Sequence, residues 1–244
     1  AEPPVRIFVM GDNAWRSEAE WPLARAQSVN YYFHSQGKAN SLKGNGVLST
    51  QPPGEEPSDV FLYNPGDPVP TRGGALCCNP YFAANGAFEQ SEIEAREDVL
   101  VYSTPPLERD VEVTGPISVT LWAATSATDT DFTAKLVDVC EDGCARNLTD
   151  GIIRARYRDS KSSPKLVEPG KAYRYTIDLW ATSNVFKRGH RIRVEVSSSN
   201  FPRFDRNTNT GGVIAEDTGF KPALQTVLHH AQHPSHITLP IVPR

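Results

Sequence analysis

The sequence predicts an all-β protein, a β-sandwich or jelly roll, on three observations. Apolar and polar residues alternate with a period of two in one segment after another. Helical periodicity is almost absent. The 20 prolines and 17 glycines among the 244 residues fall mostly between the alternating runs. A period of two sends successive side chains to opposite faces, one toward a core and the other toward water.

The elements follow in chain order. Val5, Ile7 and Val9 alternate with Arg6, and Ile117, Val119, Leu121 and Ala123 with Ser118 and Thr120. Ile153, Ala155 and Tyr157 alternate with Arg154, Arg156 and Arg158, and Tyr173, Tyr175, Ile177 and Leu179 with Arg174, Thr176 and Asp178. Ile192, Val194 and Val196 alternate with Arg191, Arg193 and Glu195. Shorter candidates lie at 28–33, 60–63, 99–103, 132–139 and 236–242. Ser17-Glu18-Ala19-Glu20 reads as one short helical turn limited by Pro22, and 222–230 as a short helix or a strand. Two stretches, 37–85 and 197–219, break the rhythm and read as long irregular segments, which in compact domains tend to carry function. Nothing divides the chain, so 1–244 is expected to be a single domain.

Bulk composition narrows the partners. With a formal net charge of -4 the chain offers no basic field for a phosphate backbone, so no nucleic-acid partner is expected. No apolar run is long enough to cross a bilayer as a helix, and no membrane partner is expected. The four cysteines fall in two pairs. Cys140 and Cys144 enclose Glu141-Asp142-Gly143, a turn between two strand-like runs. A bridge across that hairpin and a pair of free thiols are both compatible with the spacing; a bridge would favour an oxidising, secreted or periplasmic compartment. Cys77 and Cys78, adjacent in the chain, are expected as free thiols because a bridge between neighbours strains the backbone.

Several constellations bear on chemistry. No Gly-x-Ser-x-Gly elbow exists, nor the strand–helix alternation in which that nucleophile sits. His229, His230, His233 and His236 have metal-like spacing, but Pro234 interrupts them, and they read as imidazoles ordering the turn into the last strand; no metal and no cofactor are expected. Asp129, Asp131 and Asp138 lack the rest of a calcium loop and read as turn carboxylates pairing with arginine. Arg154, Arg156 and Arg158 form a stripe for an acidic ligand or, more commonly, for ion pairs. Trp15, Trp21, Trp122 and Trp180 are the candidates for a sugar-stacking platform, which a carbohydrate-binding module would need.

Taken in order, several segments resemble the C-terminal domain of the X-prolyl dipeptidyl peptidase / cocaine esterase (CocE/NonD) family of serine hydrolases. They are Val5-Arg6-Ile7-Phe8-Val9-Met10-Gly11 with Trp15-Arg16 and Trp21-Pro22-Leu23; Tyr63-Asn64-Pro65-Gly66-Asp67-Pro68 continuing to Gly73-Gly74; and 129–139 and 150–158. Ser183-Asn184-Val185-Phe186, Ser197-Ser198-Ser199-Asn200-Phe201-Pro202, Asn209-Thr210-Gly211-Gly212 and His233-Pro234-Ser235-His236 complete the set. The resemblance implies a galactose-binding-like jelly roll packed against an α/β-hydrolase and a helical cap domain of the same parent chain, with the catalytic triad upstream. On that footing the 244 residues carry no catalytic residues of their own and are expected to be inactive alone; an oligomer is compatible with the resemblance. The parent would cleave esters, amides or X-Pro peptide bonds through an acyl-enzyme. The resemblance also implies that the loop after Gly73-Gly74 reaches the substrate cleft, placing Leu76, Cys77, Cys78, Tyr81 and Phe82 near the acyl pocket.

Overall fold

The computed structural model describes residues 2–77 and 84–244. The chain opens with a hairpin of β1 (Val5–Val9) and β2 (Ala14–Glu18). There follow β3 (Gln27–His34), β4 (Gly46–Ser49), β5 (Asp59–Tyr63), the single-turn helix α1 (Ser91–Glu94), β6 (Leu100–Ser103) and β7 (Val111–Thr125). Then come β8 (Asp131–Val139), β9 (Ala145–Arg154), β10 (Tyr173–Phe186), β11 (Arg191–Ser197), β12 (Ala223–Leu228) and β13 (His236–Val242).

Outside the first hairpin, the strands form one hydrogen-bonded path in the order β5-β12-β7-β13-β3-β4-β6-β11-β8-β9, with β10 on the other edge of β7. Every pairing is antiparallel except the two-residue contact of β4 with β6. The 15-residue β7 organises the sandwich. It pairs along one side with β10 and along the other with β13 and then β12. β9 comes back against β10, where Thr149 Oγ1 donates to Leu179 O. Gly151 is required there, because a Cβ at that position would lie 2.0 Å from Asp178 O. The all-β sandwich is therefore as the alternation predicts. Its core holds the apolar phase of nearly every strand, including Phe33, Leu48, Tyr102, Leu121, Phe132, Leu136, Tyr175, Val194 and Leu239.

Three local expectations change and one open choice is settled. The helical turn expected at Ser17-Glu18-Ala19-Glu20 does not form: Ala14–Glu18 is a strand, paired with β1 in register from Val5↔Glu18 to Val9↔Ala14. β4 lies inside a stretch read as irregular. Residues 222–230 hold β12, the strand option. The arginine stripe is not a strand face: β9 ends at Arg154, and Ala155–Tyr157 is a 3-10 turn.

The largest difference concerns the face predicted to be wet. Lys135, Asp150, Arg193 and Glu195 lie in the polar phase of β8, β9 and β11, yet each is buried. α1 lies over this face through Glu94 to Arg193 and Gln90 to Lys135. The sheet is thus buried on both sides here, and its second layer is made of charged and amide groups.

Candidate functional site

The segment expected to reach a cleft rises directly from that polar layer. Pro70 bridges Phe201, with Thr71 N donating to Phe201 O at 2.6 Å. Gly74 and Gly86 then bridge each other, with N–H to O distances of 2.8 and 3.0 Å. These two bonds join the chain on either side of residues 75–85. Gly74 and Gly86 have φ of 99° and 115°, a region that disfavours a side chain. At the near end of this segment Leu76 is half-buried and Cys77 is exposed. Cys77 is disulfide-bonded, which corrects the expectation of a free thiol at this position. Cys78, Tyr81 and Phe82 lie outside the described residues.

Buried side chains hold the bridge in place. Gln90, fully buried, donates Nε2 to Arg72 O and Phe88 O, both at 2.9 Å, and accepts from Lys135 Nζ at 3.2 Å. Asn147 Oδ1 accepts from Phe88 N at 2.8 Å. Asp150 accepts from Arg203 and, at 2.8 Å, from Asn200 Nδ2. Lys135 pairs with Glu195 at 3.1 Å and Arg193 with Glu94 at 2.6 Å. Burial pushes the Glu94 carboxyl up to about 7, with Glu195 adding to the rise and Arg193 opposing it. Beside the bridge lies a cavity of about 490 Å³ lined by Thr71, Arg72, Ala84, Phe88, Ile93 and Arg96 among others.

Phe88, Phe201 and Phe220 are 37%, 41% and 48% exposed. Gly73 sits against Phe88, and the Arg206 guanidinium lies 5.9 Å from the Phe201 ring and 6.0 Å from that of Phe220. Phe88 thus borders the Gly74–Gly86 bridge, while Phe201 and Phe220 flank Arg206, and all three rings remain partly in water.

A second cluster has the composition of a catalytic triad but not its geometry. Ser35 Oγ and Asp59 Oδ2 both contact His229 Nε2, at 3.1 and 2.9 Å. In a triad the nucleophile and the acid engage opposite nitrogens. Asp59 also accepts from Ser35 Oγ, Tyr102 Oη and Ala39 N, each at 2.8 Å. Burial opposes ionisation of Asp59, but hydrogen bonds from His229, Ala39, Tyr102 and Ser35 outweigh it and hold its carboxyl below the usual range. Ser35, Asp59 and His229 are all buried, so the cluster joins β3, β5, β6 and the chain after β12 within the core.

The remaining candidates are also structural. Asp129 and Asp131, both fully buried, receive Arg156 Nε at 2.8 Å and Arg154 Nε at 2.9 Å, and Asn207 Nδ2 bridges the two carboxylates at 2.8 Å to each. Asp138 faces His190 Nδ1 at 2.9 Å. Arg158 stacks over Tyr173 at 4.3 Å. His230 and His233 contact each other at 3.2 Å, and His236 Nδ1 meets Pro234 O at 2.7 Å. The histidines thus order the entry into β13. Cys140 and Cys144, for which bridge and thiols were both open, are free thiols in this structure. Trp15 packs on Phe8 at 5.4 Å beneath Arg6, Trp122 on His233 at 4.7 Å, while Trp180 stands 72% exposed at the bulge in β10.

Sequence reasoning did not find Ser35, Asp59, Gln90 or Glu94. Lys135 and Glu195 carried a signal, opposite charges in the polar phase of two strands, but periodicity cannot report that a loop covers that face.

Comparison with known proteins adds the family. The X-Pro dipeptidyl-peptidase C-terminal non-catalytic domain matches residues 1–238. Cocaine esterase of Rhodococcus sp. (strain MB1 Bresler) is 50% identical over 244 residues, covering 99% of this chain and 42% of the esterase. An aminopeptidase from a marine sediment archaeon of the Thaumarchaeota superposes with a TM-score of 0.87 at 30% identity, over 100% of this chain and 41% of its own. An α-amino acid ester hydrolase gives a TM-score of 0.87 at 30% identity, over 98% and 41%. The chain therefore spans about two fifths of the length of these relatives.

Proposed function

Because the chain belongs to the family of X-Pro dipeptidyl-peptidase C-terminal non-catalytic domains, we propose that it packs on the α/β-hydrolase core of a serine hydrolase and supplies one wall of the substrate cleft. The observation that carries this reading is the Gly74–Gly86 bridge, which fixes the two ends of the segment the resemblance sends to the cleft. The bridge stands on a buried polar platform and beside the partly exposed ring of Phe88. Rings beside a cleft-reaching loop lose their contact with water when a hydrolase domain covers them. The relatives, more than twice as long as the match, have room for that domain in the same polypeptide. The nucleophile, base and oxyanion donors would then come from the hydrolase domain. Leu76, Cys77, Cys78, Tyr81 and Phe82 would shape the pocket that receives the acyl or X-Pro group.

The polar platform fits this role physically. A pocket wall needs its groups fixed to a fraction of an ångström, and the second-layer bonds from Gln90, Asn147 and Arg203 supply that fixity. Substituting Leu76 by Ala and by Trp in the full-length hydrolase tests the reading. A changed ranking among acyl esters of different chain length is expected. An unchanged ranking for both variants contradicts it.

A further inference from the structure

The tip of the β8–β9 hairpin carries a feature that neither the fold nor the proposed docking uses. Cys140 N donates to Cys144 O at 2.8 Å, and Gly143 N donates to Cys140 O at 3.0 Å. Gly143 has φ 90°, which closes this tight turn with a left-handed residue. The two cysteines are therefore directly opposed, one step beyond the Val139↔Ala145 pair. Opposed antiparallel residues that share a hydrogen bond have Cα atoms about 5.5 Å apart, at the centre of the range a disulfide spans. Both side chains are partly exposed, and both sulfurs are free thiols.

The environments of the two sulfurs differ. Arg146 Nε lies 3.4 Å from Cys144 Sγ, a cation placed against any charge that this sulfur develops. Burial, with the Cys144 sulfur next in effect, raises the Cys140 thiol above its ordinary value.

We propose that Cys140 and Cys144 are a reversible redox site, a dithiol that closes to a disulfide by exchange with a low-molecular-weight disulfide such as oxidised glutathione. Cys144, as thiolate, attacks one sulfur of the reagent. The reagent's S–S bond breaks and one glutathione thiolate leaves. Cys140 then gives up its proton to solvent, and its sulfur attacks Cys144 in the mixed disulfide. A Cys140–Cys144 bond forms and the second glutathione thiolate leaves. The two released thiolates take up the two protons, so one dithiol and one oxidised glutathione give one disulfide and two reduced glutathiones. The enclosed loop is short, so the bridge withdraws little entropy from the unfolded chain and remains within reach of thiol reductants.

The site has a line to Gln90, a support of the Gly74–Gly86 bridge. Glu89 bridges Arg146 and accepts at 3.0 Å from the N–H of Ala145, the residue directly after Cys144. Burial would raise its carboxyl, but hydrogen bonds, those from Ser91 and Ala145 among them, outweigh it and hold it down to about 2. Oxidation would constrain the chain at Cys144, next to Ala145, whose N–H donates to Glu89 and whose carbonyl accepts from Gln90 N at 2.8 Å.

The test treats the full-length protein with oxidised glutathione, blocks remaining thiols with iodoacetamide and maps the tryptic peptide 136–146, which contains both cysteines. The site predicts that this peptide loses both alkylations and two hydrogens, and that dithiothreitol restores alkylation at both positions. In Cys140→Ser the same treatment leaves one glutathione on Cys144, because no second thiol resolves it. A wild-type peptide alkylated twice, or carrying two glutathiones, overturns the proposal, as does a Cys140→Ser peptide without an adduct.

Discussion

Asp59 Oδ2 and His229 Nε2, 170 residues apart in the chain, stand 2.9 Å apart at a point where neither side chain is exposed. Ser35, Ala39, Tyr102 and His229 all converge on Asp59, and all of these groups lie in the interior. Asp59→Ala is expected to cost about 3–5 kcal/mol, because it leaves His229, Tyr102 Oη and Ala39 N without their acceptor in the core. Urea unfolding of the isolated chain measures this. The pH sign follows from the depressed carboxyl: its contribution is full above the unfolded-state value and is lost as pH falls through the lower folded-state value. Asp59→Asn should therefore flatten the acid limb of the stability curve.

Glu94 behaves in the opposite sense. Its carboxyl is pushed from 4.5 up to about 7, chiefly by burial, so the folded state holds a proton that the unfolded state has released. Stability then falls as pH rises through this window. Glu94→Gln removes that slope, by an amount on the order of 1–3 kcal/mol between pH 5 and pH 8. Urea midpoints at the two pH values check it; a slope equal to that of the wild type would place the titrating group elsewhere.

Arg154 and Asp131 form a buried pair whose loss should be large. Arg154→Met leaves the Asp131 carboxylate, fully buried, without its cation, at a cost of about 3 kcal/mol near pH 8. Burial already lifts Asp131 to about 6 despite the bonds from Arg154 and Asn207. The deficit should shrink toward pH 5 as that carboxyl takes up a proton in the folded state. Lys171→Ala, which removes a surface pair with Glu168, should leave the midpoint unchanged.

How much of this could be read beforehand depends on which residues face what. Val119, Leu121, Val194 and Val196 announce their strands because a one-sided core demands a period of two. β2 and β4 were not legible: Ala14–Glu18 is short and acidic at its end, and Gly46–Ser49 sits among glycines and serines, so their pairing comes from neighbours rather than local preference. The polar platform shows the same limit more sharply. Arg193 and Glu195 have the pattern of solvated residues, and only the cover that Gln90 and Glu94 lay over β8 and β11 makes them interior. The family resemblance pointed to the segment after Gly74, whereas its anchors, Gln90 and Asn147, act through hydrogen bonds to backbone that no motif encodes.

The exposed rings give a prediction specific to docking. Phe220→Asp should leave the stability of the isolated chain nearly unchanged, since the ring is already 48% exposed. In the full-length hydrolase the same change should lower kcat/KM about tenfold or more, as expected when an anchor in a desolvated interface is lost. A clear loss of stability in the isolated Phe220→Asp chain would mean that Phe220 serves the fold rather than the seam.

The most direct measurement compares the purified 244-residue chain with the full-length protein against an activated short-chain acyl ester and an X-Pro anilide. The account predicts turnover by the full-length protein that a serine-directed acylating reagent abolishes, and none by the isolated chain. Turnover by the isolated chain, proportional to its concentration and blocked by the same reagent, would place a catalytic site within these residues and contradict the account.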